Sequence, residues 1–340
     1  MNYKGIHYDV GTSTTHGTLS RELFDPNIVQ REIEIIRNDL HCNAIRISGQ
    51  DIERLVLAGD FAIRQGLEAW FSPSLPDATE ETTLQYFAEC AAAAEHLRQQ
   101  SPTTVFITGV ELSAFMQGFL EGDSPMHRLG TLINPLKLIK STILKGSFHK
   151  NLNKFLSEVI RRVRERFHGR LTYASGPWEE VDWSPFDFVG VDLYRDAMNK
   201  KVYKKSLRSY FKYGKPVVIT EFGCCTYQGA EDKGGYGWAV VDWNQTPPQL
   251  KRELHRDETS QANYLMELLE IFEHENVEGA FAFTFVNPSY PHRDPPRNDL
   301  DLASYGLVKS FENRTGNTYK DLPWEPKESF FKLADYYGGH

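Results

Sequence analysis

The chain has 340 residues, 40% hydrophobic and 25% charged, a balance that suits a folded globular chain and excludes a low-complexity or disordered one. Its formal net charge of -8 supplies no basic field for nucleic acid, and no run approaches the roughly 18 apolar residues of a membrane span. The N-terminus shows no charged and apolar leader, so the expected compartment is the cytoplasm, and the four sparse cysteines (Cys42, Cys90, Cys224, Cys225), none in a C-x-x-C pair, read as reduced thiols.

Short β-rich runs alternate with longer amphipathic segments. The first candidate strand is YKGIHYD (3–9), ending in His7, Tyr8 and Asp9, and a helical pattern over 26–41 follows with Pro26 in its first turn. Next come NAIRISG (43–49), which carries Arg46, LEAWFSPS (67–74), which carries Trp70, and TTVFITGVE (103–111), which ends on Glu111.

From Ser124 to Ser157 there is no acidic residue, while Arg128, Lys137, Lys140, Lys145, Lys150 and Lys154 surround LGTLINPLKLIKSTIL. This insertion, at about 112–150, interrupts the connection to a helical pattern over 153–167. A solvated helix face is the favoured reading, and an anionic glycan, a membrane surface or a protein partner would also suit it.

The chain continues with LTYAS (171–175), followed by Trp178, then FDFVGVDLY (186–194), ending on Tyr194, and PVVITEF (216–222), which carries Glu221. A helical pattern over 259–276, with Thr259 as cap candidate, precedes VEGAFAFTFV (277–286), which holds Phe283 and Phe285. The segment 327–337 supplies an eighth helix.

Eight strands alternating with helices predict an α/β fold, a single closed (β/α)8 TIM barrel over 1–340 with long loops after strands 4, 7 and 8. No G-x-G-x-x-G or G-x-x-x-x-G-K-[ST] run follows the early strands, which weakens the alternative of an open nucleotide-binding sheet. Barrel sites lie at the carboxyl ends of the strands, so Glu111 and Glu221, which end strands four and seven, are expected to meet across the mouth. Two carboxyls roughly 5–5.5 Å apart suit glycosidic hydrolysis by double displacement.

TGVELS and PVVITEFG resemble the strand-four and strand-seven motifs of the retaining (β/α)8 glycoside hydrolases known as clan A. NAIRI resembles the strand-two arginine signature of that clan, and FVGVDLY its strand-six segment with a terminal tyrosine. The resemblance spans strands one to eight, and the strand-seven motif is its most specific part. It implies that Glu221 is the nucleophile, ionised at rest, with Arg46 and Tyr194 as hydrogen-bond donors to it. It also implies that Glu111 is the acid/base, protonated at the start, with the higher pKa of the two. A carbohydrate substrate follows, with neither metal nor cofactor.

Two positions depart from the family pattern. Val110 stands where an asparagine usually meets the sugar 2-hydroxyl, and Phe283 and Phe285 stand in place of a strand-eight tryptophan beneath the sugar. His7, Asp9, Trp70, Trp178 and Phe285 are the further candidates for sugar contact, and the loops after strands seven and eight are expected to wall the cleft.

Plainer readings stand beside these. Glu221 would form a buried structural ion pair with Arg46, Glu111 would be a helix-start acid, and Cys224 and Cys225 would act as small hydrophobes. A metal-dependent barrel is disfavoured because FSPS and YAS lack ligands. A catalytically weak barrel serving as a carbohydrate-binding or interaction protein is the main alternative, and Val110 is its basis.

Overall fold

The computed structural model describes residues 1–14 and 17–339. Eight parallel strands follow one another around a closed barrel: β1 (Tyr3–Asp9), β2 (Ala44–Gly49), β3 (Glu68–Pro73), β4 (Val105–Val110), β5 (Arg170–Ser175), β6 (Val189–Asp192), β7 (Val217–Phe222) and β8 (Gly279–Ala282), which pairs back to β1. This is the (β/α)8 barrel expected from the alternation of the sequence. Six of the eight strands are shorter than the apolar runs that announce them. β6 occupies four residues within 186–194, and β8 four within 277–286, because the flanking residues leave the ladder for loops.

The helices are α1 (Pro26–Asn38), α2 (Ile52–Arg64), α3 (Glu80–Gln100), the single turn α4 (Leu112–Phe115), α5 (Pro125–Leu132), α6 (Pro135–Lys145), α7 (Phe148–Arg164), α8 (Tyr203–Tyr210), α9 (Glu258–His274) and α10 (Glu328–Gly339). Asp25 caps α1 by accepting from Asn27 N, with Pro26 in the first turn as the sequence suggests. Asp257 caps α9, accepting from Ser260 N at 2.8 Å, whereas Thr259, the residue expected to cap it, lies inside the first turn and donates to Glu328. Helices α4, α5 and α6 occupy the connection between β4 and α7.

Alternation along the strands divides the core into two layers. Outward residues such as Ile6, Ile45, Phe71 and Ile219 pack against the helices, while Ala44, Trp70, Ile107, Phe188, Val218 and Phe281 fill the barrel interior. At the amino-terminal end of the barrel the Trp70 ring lies 5.3 Å from Tyr3, 5.1 Å from Phe188 and 4.9 Å from Phe281, forming an aromatic plug. Gly5 makes room for it, since a Cβ there would stand 2.4 Å from the Phe281 ring.

The plug corrects one expectation. Trp70, expected to touch sugar, is fully buried two residues below Ser72 on the inward pleat, and its Nε1 donates to Glu68 at 3.1 Å. Phe285 is corrected in the same way. The β8 ladder ends at Ala282, so the strand alternation does not extend to Phe285, which turns outward against Trp324 (5.4 Å) and Tyr8 (6.2 Å) and is fully buried.

Among the described residues no helix is long and apolar enough to cross a membrane. All four cysteines are free and buried.

Candidate active site

Strict alternation on β7 would send Glu221 outward with Val217 and Ile219. The ladder register shifts between Val191–Ile219 and Asp192–Glu221, so that Thr220 and Glu221 both face the mouth while Phe222 packs outward against Phe272. A bulge of this kind re-aims a side chain. A second shift, between Ile107 and Val110, turns the end of β4, where Val110 packs on the interior cluster and Glu111 follows. A strand of buried residues can end in a charge because the bulge delivers that charge to the open end of the barrel.

Glu221 is 15% exposed and held from two sides. Arg46 Nη1 stands 3.1 Å from its Oε1, and Tyr194 Oη donates to its Oε2 at 3.0 Å. Arg46 also donates to Thr220 O at 2.8 Å and to Ser72 Oγ at 3.2 Å, which fixes the guanidinium on the barrel floor. Asp192 Oδ1 lies 3.5 Å from the same Nη1 and accepts from Thr220 Oγ1 at 2.6 Å, while its buried Oδ2 has no partner. Burial, followed by the Glu221 carboxylate, pushes Asp192 well above the ordinary aspartate range, with Arg46 opposing.

Glu111 holds a left-handed backbone at φ 43°, an uncommon conformation for a non-glycine residue. Its N–H donates to Ala174 O at 2.8 Å, and the next N–H, of Leu112, donates to Tyr173 Oη at 2.7 Å. Tyr173 Oη in turn donates to Glu179, whose carboxylate also accepts from Ser113 N and Gly176 N, both at 3.0 Å. Burial pushes Glu179 up to about 7 against these donors. Burial likewise pushes Glu111 well above the ordinary glutamate range, reinforced by the charges of Asp192, Glu221 and Glu179. The surroundings of the two carboxyls are therefore unlike: Glu221 faces two donors, and Glu111 faces three acids.

Trp178 stands beside the Glu111 turn, its Nε1 donating to Ser113 Oγ at 3.0 Å, and is half-buried. His7 lies in the wall with both ring nitrogens engaged, Nδ1 at 2.8 Å from Thr284 Oγ1 and Nε2 at 2.7 Å from Ser48 Oγ. Thr284 spends its proton on His7 O, so Nδ1 is assigned the hydrogen and Ser48 donates to Nε2. Burial and Arg46 lower the His7 pKa and keep the ring neutral. His7 thus presents no free ring nitrogen to the mouth. Asp9 turns to its own loop, accepting from Gly11 N at 2.8 Å and Thr12 Oγ1 at 3.2 Å.

Phe283 remains at the mouth, its ring 4.7 Å from His7 and 5.7 Å from Tyr305. Tyr305 pins the loop after β7, donating to Gly234 O at 2.6 Å and accepting from Gly237 N at 2.9 Å. Between those anchors Tyr236 stays exposed, close enough to Glu111 for that carboxylate to raise its phenol pKa, after burial.

Sequence reasoning missed Asp192, Glu179, Tyr236 and Tyr305. Asp192 had a signal, because it lies two residues before Tyr194 and four after Phe188, on the inward parity of its strand. Glu179 had none, being one of two adjacent loop glutamates. Among the described residues no group of three or more His, Cys, Asp or Glu side chains is placed to hold a metal ion.

No protein-family model matches the sequence, and no curated protein matches it. Solved structures do. A GH113 β-1,4-mannanase superposes over all of both chains with a TM-score of 0.63 at 14% identity. The GH113 β-mannanase AaManA from Alicyclobacillus acidocaldarius, in complex with ManMIm, gives 0.60 at 13% identity over 99% of this chain and 97% of its own. A family 1 β-glucosidase from Thermotoga maritima gives 0.52 at 12% identity over 92% of this chain and 86% of its own. The chain shares the barrel fold of these glycoside hydrolases.

Proposed function

We propose that the chain is a retaining glycoside hydrolase in which Glu221 is the nucleophile and Glu111 the acid/base. The observation that carries this reading is the unequal setting of the two carboxyls, one fixed by Arg46 and Tyr194, the other pushed well above the ordinary glutamate range by burial and by the acids around it.

In the first step a Glu221 oxygen attacks the anomeric carbon as the bond to the leaving oxygen breaks, and the Glu111 proton goes to that oxygen. An ester to Glu221 results. It removes a negative charge beside Glu111, which then takes a proton from water as the water oxygen attacks the same carbon and frees the Glu221 carboxylate. Two inversions leave the configuration unchanged.

The neighbours are by name β-mannanases and a β-glucosidase, so a β-linked hexose glycan is the substrate class we assign. Phe283, Trp178 and Tyr236 supply aromatic surface, Phe283 taking the place intended for Phe285. A second reading, a barrel that binds sugar but turns it over weakly, is favoured by Val110, whose side chain gives a sugar 2-hydroxyl no hydrogen bond.

The test is release of nitrophenol from aryl glycosides of both anomeric series, comparing wild type with Glu221→Gln at equal folded concentration, with the product anomer read by proton NMR. Turnover with retention, lost in the variant, supports the enzyme. Sugar binding without turnover, unchanged by the substitution, supports the second reading.

A further inference from the structure

Helix α6 turns an apolar face to solvent. Leu136, Ile139, Ile143 and Leu144 recur at helical spacing, with Ile133 just ahead of them, and each is between 58% and 79% exposed. Single exposed aliphatics are ordinary, but four on one side of one short helix, with a fifth just ahead of it, are not.

The orientation is fixed by the opposite side. Ser141 is buried and its Oγ accepts from Glu121 N at 2.9 Å, Lys145 reaches Glu121 at 3.6 Å, and Leu138 packs on the core. Asn134 caps the helix through Leu136 N and Lys137 N.

Charge accompanies the apolar side chains. Lys140 lies within the face, one turn from both Leu136 and Ile143, and Lys137 borders it one turn after Ile133. Both lysines are exposed. No acid occurs from 124 to 157 in a chain of net charge -8, so the basic character is local. Protein interfaces favour Tyr, Trp and Arg and disfavour Lys, and this face has no aromatic residue and no arginine. Aliphatics interleaved with lysines instead match a lipid boundary, where the methyl groups sink among acyl chains and the ammonium groups reach phosphates.

We propose that α6 is a docking helix for anionic phospholipid surfaces, a property independent of the reaction assigned above. Arg128 of α5 donates to Ala114 O in α4, the turn that follows Glu111, so the docking element is tied to the mouth end of the barrel.

The experiment is sedimentation of the full chain with vesicles of phosphatidylcholine alone and of phosphatidylcholine containing one third phosphatidylglycerol. The wild type is expected to pellet with the anionic vesicles and not with the neutral ones. The double variant I139D/I143D should lose about tenfold or more in binding, and K137E/K140E a similar amount, with unchanged thermal melts because all four residues are exposed. No pelleting of the wild type, or pelleting that both variants keep, overturns the proposal. A dimer that I139D/I143D dissolves, without vesicle binding, overturns it in favour of a second copy. Binding lost only in K137E/K140E overturns it in favour of a soluble polyanion.

Discussion

Arg46 and Glu221 meet at 3.1 Å, Nη1 to Oε1, and that same nitrogen stands 3.5 Å from Asp192. One cation therefore serves two acids, and the acid with an unpartnered oxygen, Asp192, is the one that burial pushes well above the ordinary aspartate range. Glu221 is the acid that Tyr194 also reaches.

Removing the cation should expose this arrangement. Arg46→Met leaves Glu221 beside Asp192 with no counter-charge, a loss worth about 3 kcal/mol or more, which corresponds to roughly a hundredfold in kcat/KM. The acid limb of the pH–rate profile should move to higher pH. Asp192→Asn, which keeps the shape of that side chain and leaves Arg46 facing Glu221, should change kcat/KM far less. Steady-state kinetics from pH 4 to 8 on both variants checks this.

Glu111 stores strain in its left-handed backbone and carries a carboxyl among acids. Glu111→Asn tolerates the same φ and removes the acid, so it should stabilise the fold by on the order of 1 kcal/mol while losing 10²–10⁴ in turnover of substrates with poor leaving groups. Good leaving groups need no proton, so their first step should suffer least. Denaturant unfolding and a leaving-group series measure the two effects separately.

The barrel was legible because eight apolar runs announced eight strands, and the expectation that Glu111 and Glu221 stand at its mouth followed from the rule that barrel sites lie at strand ends. What was not legible depended on register. Parity would send Glu221 outward, and only the bulge beside Asp192 brings it to Arg46. Trp70 and Phe285 belong to runs that lead to the mouth, but depth along the pleat puts Trp70 in the plug, and the end of the β8 ladder frees Phe285 to face the helices. Glu179 reaches the Glu111 turn from a loop, a contact that no periodicity encodes.

Glu179 predicts a pH dependence of stability. Its folded pKa is raised from 4.5 to about 7, so the native state holds a proton that the unfolded chain releases between those values. The contribution is fully present below about pH 4.5 and is lost as pH rises through about 7, on the order of 3 kcal/mol in all. Urea unfolding at intervals across this range should show a decline in the wild type that Glu179→Gln flattens, whatever that variant costs in lost hydrogen bonds.

Phe285 and Trp178 should separate core from site. Phe285→Ala empties a packed position between barrel and helices and should cost about 3–5 kcal/mol with KM unchanged in the folded fraction. Trp178→Ala, half-exposed beside the Glu111 turn, should cost far less stability and raise KM. Thermal melts paired with kinetics decide each case.

The aromatic plug makes the barrel a vessel with one opening. In the reaction proposed, sugar, departing group and water would all share that opening. In a double displacement the incoming water must queue behind the outgoing fragment, over the same aromatic rim that grips it. An acceptor sugar would have to arrive by the same route as water. The geometry of the floor thus bears on whether the ester ends as a cut chain or a rebuilt one.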